Sequence, residues 1–287
     1  MKTVISLIVS HNYRLRCLLK QLLDKQYYIY NFKNCSILEL SLQKKNNKVI
    51  YSLTMIYEGE LNESKTHKYF TIDNFPTIID ISDSILQINS GMLSNDTLYV
   101  FYLVRHGEAE HNLYSSLEKI KSPFNIDTSL TKTGLKQALH AGEFLYTYLK
   151  PRNYKIDYLL SSDLKRTWQT LTSILTGLPK SYAKNKKITI LPCAHELMYR
   201  IEGSCDSHMI RDLRGFAGEN RTSCGSSNGN KECQMIKKGG VEYKIDWSHY
   251  NKFYDNEGRD PVYFTESKYT CTDTNMIKNC LLFVIKF

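Results

Sequence analysis

The sequence predicts an α/β fold, a three-layer sandwich with a mainly parallel central sheet and helices on both of its sides. Two kinds of segment predict it. Apolar, β-branched runs such as 3–10 (TVISLIVS) and 97–104 (TLYVFYLV) have the length and composition of buried strands. Other stretches, such as 13–26, place leucines at helical spacing. Strands that alternate with helices are typical of parallel sheets.

The same two patterns predict the remaining elements. They are strands at 35–42, 48–57, 156–160 and 188–191, helices at 133–149 and 163–176, and a final strand in the C-terminal LLFVIKF. We expect a loop at 59–68, which is polar, whereas 69–96 carry no clear period. Glycines interrupt the pattern from about 203 to 260, so no element is predicted in that stretch.

The composition permits one large domain or two small ones and favours an anionic ligand. The chain has 287 residues, of which 42% are hydrophobic and 23% charged, and these are ordinary globular values. Its formal net charge of +9 would attract phosphorylated small molecules, nucleic acid or anionic lipid. The densest basic run, at 184–187, is short enough to be a solvated loop. We therefore expect a small phosphorylated substrate and no nucleic acid, whose binding would depend steeply on salt.

We expect neither a metal site nor a cofactor nor a membrane segment. The eight cysteines include no CxxC pair and match no standard zinc spacing. No run approaches the ~20 apolar residues of a membrane span. The apolar start at 4–9 is followed by His11 and Asn12, where a signal peptide has small residues, so a cytoplasmic protein is expected. The sequence leaves the oligomeric state open.

The end of the strand 97–104 carries chemistry-bearing residues. Arg105, His106 and Gly107 would lie at the carboxyl edge of the sheet, where open α/β sheets bind ligands. A neutral imidazole is a good nucleophile toward phosphorus, and an arginine fork can bind two phosphoryl oxygens at once. A glycine at 107 lets the backbone approach the phosphate closely. The three residues therefore predict a phosphoryl-transfer site.

Three blocks in order along the chain resemble the histidine phosphatase superfamily, which includes the phosphoglycerate mutases. The first is RHGEAEHN at 105–112, similar to the family's RHGE…N signature. The second is DTSLTKTG at 127–134 followed by Gln137 and Ala138, and the third is SSDLKRTWQT at 161–170. The resemblance implies a phosphoglycerate mutase-like fold and phosphoryl transfer through a phosphohistidine.

Carried over by position, the resemblance makes His106 the phosphorylated nucleophile. It implies that Arg105 and Arg166 grip the phosphate and that Asn112 contacts it. Thr131 would cap the helix that follows it or hold the loop before that helix.

The family also uses a carboxylic acid to protonate the leaving oxygen. Glu196, which follows the strand 188–191, takes that position in the resemblance, and Glu202 is the alternative. His111, His140 and His195 are interpreted as surface or packing residues.

A second histidine of the family is expected on the last core strand, yet no histidine follows His249. The matching block lies instead at the start of the chain. VSHNYRLRCLL at 9–19 is similar to the family's V-S-H-G-x-x-I-R-x-L-L, and NCSI at 34–37 resembles the strand after it. His11 would then complete the site. Asn12 replaces the usual glycine, and asparagine tolerates a positive φ at such a turn.

The resemblance therefore implies a circularly permuted order. Residues 1–58 would supply the C-terminal part of the fold, 59–96 a connector and 97–200 the block with the RHG motif. Residues 201–287 would be a variable insertion and C-terminal segment, all within one domain. Permutation is tolerated where natural termini lie close together.

The function expected from these features is phosphoryl transfer through phospho-His106, in the form of phosphomonoester hydrolysis. Phosphoglycerate mutase-type transfer is the first alternative. The second is a degenerate, non-catalytic protein that binds phosphate, favoured by the unusual order and by Asn12. The geometry separates this last alternative from an enzyme, because a working site needs His11 and His106 to face one phosphate.

Overall fold

The structure is a computed structural model. It describes residues 1–22, 32–45, 48–59, 79–80, 93–113, 128–183, 187–191, 194, 235–238 and 240–248.

Nine strands and four helices lie in these residues. The strands are β1 (Lys2–Ser10), β2 (Ile37–Lys45), β3 (Lys48–Tyr57), β4 (Ile79–Asp80), β5 (Thr97–Arg105), β6 (Tyr158–Ser161), β7 (Lys187–Ile190), β8 (Met235–Lys238) and β9 (Val241–Asp246). The helices are α1 (Asn12–Leu22), the short α2 (Glu110–Leu113), α3 (Lys132–Leu149) and α4 (Lys165–Gly177), and a 3₁₀ turn at Lys150–Arg152 extends α3.

The described strands form a single mixed sheet in the order β4-β3-β2-β5-β1-β6-β7-β9-β8. Its five central strands, β5, β1, β6, β7 and β9, run parallel. Antiparallel strands are added at both sides, β2 next to β5 and β8 next to β9. This arrangement confirms the predicted α/β class with its mainly parallel centre.

Apolar residues on both faces of the central strands are buried. Ile5, Leu7 and Val9 of β1 belong to a core that also contains residues of α3 and α4, such as Leu145 and Leu171. On the opposite face of β1, Ser6, Ile8 and Ser10 are buried too. Burying one such large aliphatic side chain contributes about 1.5–3 kcal/mol. The apolar run TVISLIVS is therefore stable in the middle of the sheet. It would not be stable at an exposed edge.

The helix α1 adds a separate set of buried leucines. Leu15, Leu18 and Leu19 are at most 5% exposed and lie outside the core shared by α3 and α4. Their spacing is the one that predicted a helix at 13–26, of which the described part ends at Leu22.

The strand β1 pairs in parallel with β5, in a register that sets Ser10 opposite Arg105. The two strands therefore end at the same edge of the sheet, as the sequence predicts if 1–58 completes the site. The permuted order itself stays a prediction, since most of 59–96 and the last residues lie outside the described part of the chain.

One hairpin was not predicted from the sequence. Residues 235–238 and 241–246 pair as the antiparallel strands β8 and β9, and in β9 Val241, Tyr243 and Ile245 alternate with more exposed polar residues. Gly239 and Gly240 suggested only an interruption, yet glycine is also what a tight hairpin turn requires, and Gly240 has a φ of 72°. The strand expected in the final LLFVIKF lies outside the described residues.

None of the described helices is both long enough and apolar enough to cross a membrane.

Candidate active site

The two histidines that follow β1 and β5 meet at the carboxyl edge of the sheet. The rings of His11 and His106 have centroids 5.2 Å apart in an edge-to-face arrangement. Both side chains are buried, and the backbone N–H of His106 donates to the carbonyl of Ser10, 3.0 Å away. If His11 completes the site, as predicted, it must lie close to His106, and the structure places the two side by side.

The tautomer of His106 follows from its backbone neighbour. Its Nδ1 lies 2.7 Å from the carbonyl oxygen of Gly107. A carbonyl can only accept a hydrogen bond, so Nδ1 must carry the proton and Nε2 keeps its lone pair. Burial, first of all, and then the charges of Arg166 and His11 hold the pKa of His106 well below 6.5. His106 is therefore neutral at neutral pH, the form that can attack phosphorus.

The two predicted phosphate-binding arginines lie close enough to His106 for their charges to act on it. Arg166 lies in the first turn of α4 and is 4% exposed. Arg105 is half-buried at the end of β5, where it donates from Nη1 to the carbonyl of Phe32. The structure thus brings together His11, His106, Arg105 and Arg166, all predicted as one site.

The structure gives a different reason for the glycine at 107. Its N–H donates to the hydroxyl of Thr170, 2.9 Å away, and that hydroxyl donates in turn to the carbonyl of Arg166. A Cβ at position 107 would lie 2.6 Å from the carbonyl oxygen of Gly134 in α3. The glycine allows α3 to pack on the loop, which is a structural role beside the predicted approach to phosphate.

The start of α3 is held to this loop by a carboxylate that sequence reasoning passed over. Thr131 caps α3, accepting from the N–H of Gly134 at 2.9 Å, as predicted. Its hydroxyl donates to Oε1 of the buried Glu108, 2.7 Å away. The backbone N–H of Glu108 donates to Gln137. The first two sequence blocks are therefore joined through Glu108, and its place directly after the RHG motif was the signal for this role.

Asn112 and His111 form a second network, which changes the interpretation of His111. The Asn112 carbonyl oxygen accepts from the N–H of Ala109 at 2.9 Å, so its NH₂ group faces His111 Nε2 at 3.2 Å. His111 Nδ1 pairs with the hydroxyl of Thr128 at 2.7 Å, and its ring centroid is 5.7 Å from that of His106. His111 is thus a neighbour of His106 that orients Asn112, and the interpretation of His111 as a surface or packing residue was incomplete.

A strained loop joins β2 to the same edge. Cys35 has a φ of 59°, in the left-handed region that favours glycine. Its N–H is held by the carbonyls of Arg105 at 3.1 Å and His106 at 3.4 Å. Such strain persists where the surrounding contacts over-determine the backbone. The block at 34–37 therefore supports the backbone at Arg105 and His106 directly.

Asn12 was predicted to tolerate a positive φ at its turn, and this prediction was wrong. Asn12 is the first residue of α1, and Cys35 and Asn153 are the non-glycine residues with positive φ in the described ranges. Its side-chain oxygen instead accepts from the N–H of Phe32 at 3.0 Å. The carbonyl of Phe32 accepts from Arg105. Asn12 therefore positions Arg105 through Phe32, a contact that glycine could not make.

We expect Asn12→Gly to weaken inhibition by inorganic phosphate about fivefold, because losing one partly buried hydrogen bond costs about 1 kcal/mol. Phosphate inhibition constants of the two proteins measure the effect. Asn153→Gly, the same change at an exposed turn residue, is the control and should stay near the parent value. Equal inhibition constants for Asn12→Gly and the parent protein would contradict this role.

The predicted acid, Glu196, lies outside the described residues, as do Glu202, His195 and His249. The structure describes His140, which is exposed on α3 as expected. Within the described ranges, no group of three or more histidine, cysteine, aspartate or glutamate side chains could hold a metal ion.

The chain is similar to known phosphatases and to a phosphoglycerate mutase. Residues 101–197 match the family model of the histidine phosphatase superfamily, branch 1. A broad-specificity phosphatase of Saccharomyces cerevisiae is 25% identical, over 64% of this chain and 83% of the yeast protein. The fructose-2,6-bisphosphatase TIGAR of Bos taurus is 30% identical over 51% of this chain and 50% of its own length.

A 2,3-bisphosphoglycerate-dependent phosphoglycerate mutase of Borrelia garinii is 37% identical over 31% of this chain and 33% of the mutase. The chain thus spans most of the yeast phosphatase, half of TIGAR and a third of the mutase. No solved structure gave a significant match. The family match covers His106, Arg166 and Thr131, which caps α3, so this part of the chain is similar to the histidine phosphatase superfamily.

Proposed function

We propose that this protein hydrolyses phosphomonoesters through a phosphohistidine formed on Nε2 of His106. The observation that carries the proposal is the buried pair of His106 and His11 at one edge of the sheet. Their ring centroids are 5.2 Å apart, and the pair lies beside Arg105 and Arg166. The relatives named as phosphatases support the same reaction. The substrate in this proposal is a small phosphorylated molecule, and the protein is cytoplasmic.

In the first step, Nε2 of His106 attacks phosphorus and the bond from phosphorus to the ester oxygen breaks. Glu196 gives its proton to that leaving oxygen, which departs as the alcohol. In the second step, water attacks the phosphoryl group, Glu196 takes the proton of the water, and the bond from phosphorus to nitrogen breaks. Inorganic phosphate and neutral His106 result, so protons and electron pairs balance.

The charge that develops on the three phosphoryl oxygens needs fixed positive groups and N–H donors. Arg105 and Arg166 supply guanidinium forks, and His11 and the Asn112 NH₂ group supply further donors. These groups are held by protein hydrogen bonds before substrate arrives, so little reorganisation is needed during the reaction.

The direct experiment is to trap the phosphoenzyme. Rapid quenching in alkaline denaturant after mixing with a phosphorylated substrate should give a protein phosphorylated at His106, identified by peptide mapping under alkaline conditions that preserve phosphohistidine. A panel of phosphorylated metabolites, scored for phosphate release, then defines the substrate. Phosphate release without any phosphorylated His106 would contradict the proposal.

Mutase-type transfer is a second candidate, favoured by the match to the Borrelia garinii mutase. It would return the phosphoryl group of His106 to a second hydroxyl instead of water. Isotopic label that moves between positions of one substrate, with little phosphate released, would identify it. Phosphate binding with neither reaction would identify a non-catalytic phosphate-binding protein.

We expect Glu196→Gln to lower kcat/KM about a hundredfold for alkyl phosphates, because an alkoxide must be protonated as it leaves. Aryl phosphates with good leaving groups need no such proton and should lose far less. Steady-state assays with a matched pair of substrates measure the difference. Glu202→Gln is the control, and equal losses of Glu196→Gln on both substrates would turn attention to Glu202.

A further inference from the structure

Three side chains from two parts of the chain form a hydrogen-bonded row behind the site. His11 Nε2 lies 2.9 Å from the hydroxyl of Ser162, and that hydroxyl lies 3.0 Å from Oδ1 of Asp163. His11 and Ser162 are fully buried. The N–H of Ser162 donates to the carbonyl of Val9 in β1, which fixes Ser162 at the edge where His11 begins.

The proton positions in this row follow from valence. Ser162 has one hydroxyl hydrogen, and a carboxylate can only accept, so this hydrogen points to Asp163. The serine oxygen then accepts from His11 and, at 3.5 Å, from the N–H of Leu164. His11 must therefore carry a hydrogen on Nε2, and Nδ1 is the ring nitrogen that this row does not use.

The two histidines are thus held in opposite tautomers. His106 is held with its hydrogen on Nδ1 by the Gly107 carbonyl, which leaves Nε2 as nucleophile. His11 is held with its hydrogen on Nε2 by Ser162. A nucleophilic nitrogen needs a lone pair, whereas a side chain that binds phosphate needs a hydrogen to donate. His11 meets this second need only when Nδ1 gains a proton and the ring becomes a cation.

We propose that Ser162 and Asp163 are positioning residues that hold His11 as an Nε2–H donor and stabilise its cationic form when phosphate binds. The proposal rests on the phosphoryl-transfer function given above. His106, Arg105 and Arg166 surround the phosphate position, and the two arginine charges disfavour a further cation there. The carboxylate of Asp163, which is linked to His11 through the Ser162 hydroxyl, favours the cationic form of His11. The phosphate dianion favours it as well. Asp163 thus acts on the phosphate through His11 and without touching it.

The first test reads the tautomer directly and needs no catalysis. Two-bond ¹H–¹⁵N correlation spectra of ¹⁵N-histidine protein, with His11 assigned from the His11→Gln variant, distinguish Nδ1–H from Nε2–H. We expect Nε2–H for His11 in the unliganded protein and loss of that preference in Ser162→Ala. An Nδ1–H signal for His11 in the parent protein would overturn the proposal, even if the phosphatase activity proved correct.

The second test separates positioning from structure. Asp163→Asn keeps a hydrogen-bond acceptor and removes only the charge. We expect it to raise the inhibition constant of inorganic phosphate about tenfold, the equivalent of about one pKa unit. Binding of phosphate, followed by NMR, supplies the same number if turnover is absent.

Glu143→Gln, an exposed carboxylate on α3, is the matched control and should change nothing. In a His11→Gln background, Asp163→Asn should add no further loss, because its effect passes through His11. An equal loss in both backgrounds, or none in either, would show that Asp163 does not act on His11.

Discussion

Replacing His106 by alanine is expected to lower kcat by at least about a thousandfold, because the covalent intermediate then has no nitrogen on which to form. The side chain is 2% exposed and its Nδ1 is bound to the Gly107 carbonyl, so only Nε2 is presented for attack. Its lowered pKa keeps the ring neutral, and the attacking form is not lost until the pH falls well below 6.5. Initial rates of phosphate release from the purified variant measure the effect.

His140→Ala is the control for this experiment. His140 is exposed on α3, so its removal should leave kcat within experimental error of the parent value. Circular dichroism and thermal unfolding of both variants would show that the fold is retained. A His106→Ala protein that is folded and turns over at a near-normal rate would contradict the assignment of the nucleophile.

Replacing Arg166 by alanine is expected to lower kcat/KM several hundredfold, in the range found for removal of one preorganised donor to a developing anion. Arg166 is 4% exposed in the first turn of α4, and its charge acts on His106. In Arg166→Ala the phosphoryl oxygens lose a bidentate partner in a buried site, where such a contact is stronger than in water. Arg166→Lys should recover only part of the loss, because an ammonium group cannot bind two oxygens with the same geometry.

The matched control is Arg152→Ala. Arg152 lies on the 3₁₀ turn after α3 and is exposed. The central carbon of its guanidinium group lies 3.7 Å from the ring centroid of Tyr148. This substitution should alter neither kcat nor KM. If Arg166→Ala and Arg152→Ala behaved alike, Arg166 would be a structural residue of α4 and not a ligand of the phosphate.

Local pattern was sufficient for much of this protein. Buried strands at β1 and β5 were predictable because eight-residue apolar runs with β-branched residues have few other stable placements. The Thr131 cap was predictable because a cap is satisfied within one turn. The hairpin β8–β9 was missed because its short alternating strands are separated by glycines that resemble an interruption.

The sequence by itself predicted which residues would carry the chemistry. The order Arg105, His106, Gly107 after a strand, with Arg166 two blocks later, predicts a phosphoryl-transfer site because each motif includes the local elements that present it. Even His11 could be proposed from its own block, since a strand, a histidine and a helix follow one another there.

Only the tertiary structure decided what each of these residues is bound to. His11 and Ser162 are separated by 151 positions, and their hydrogen bond determines the tautomer of His11. The partner of Asn12 is a backbone N–H at Phe32, and the glycine at 107 is required by the carbonyl of Gly134. Hydrogen bonds and close contacts depend on tenths of an ångström between distant segments, and local periodicity contains no such distances.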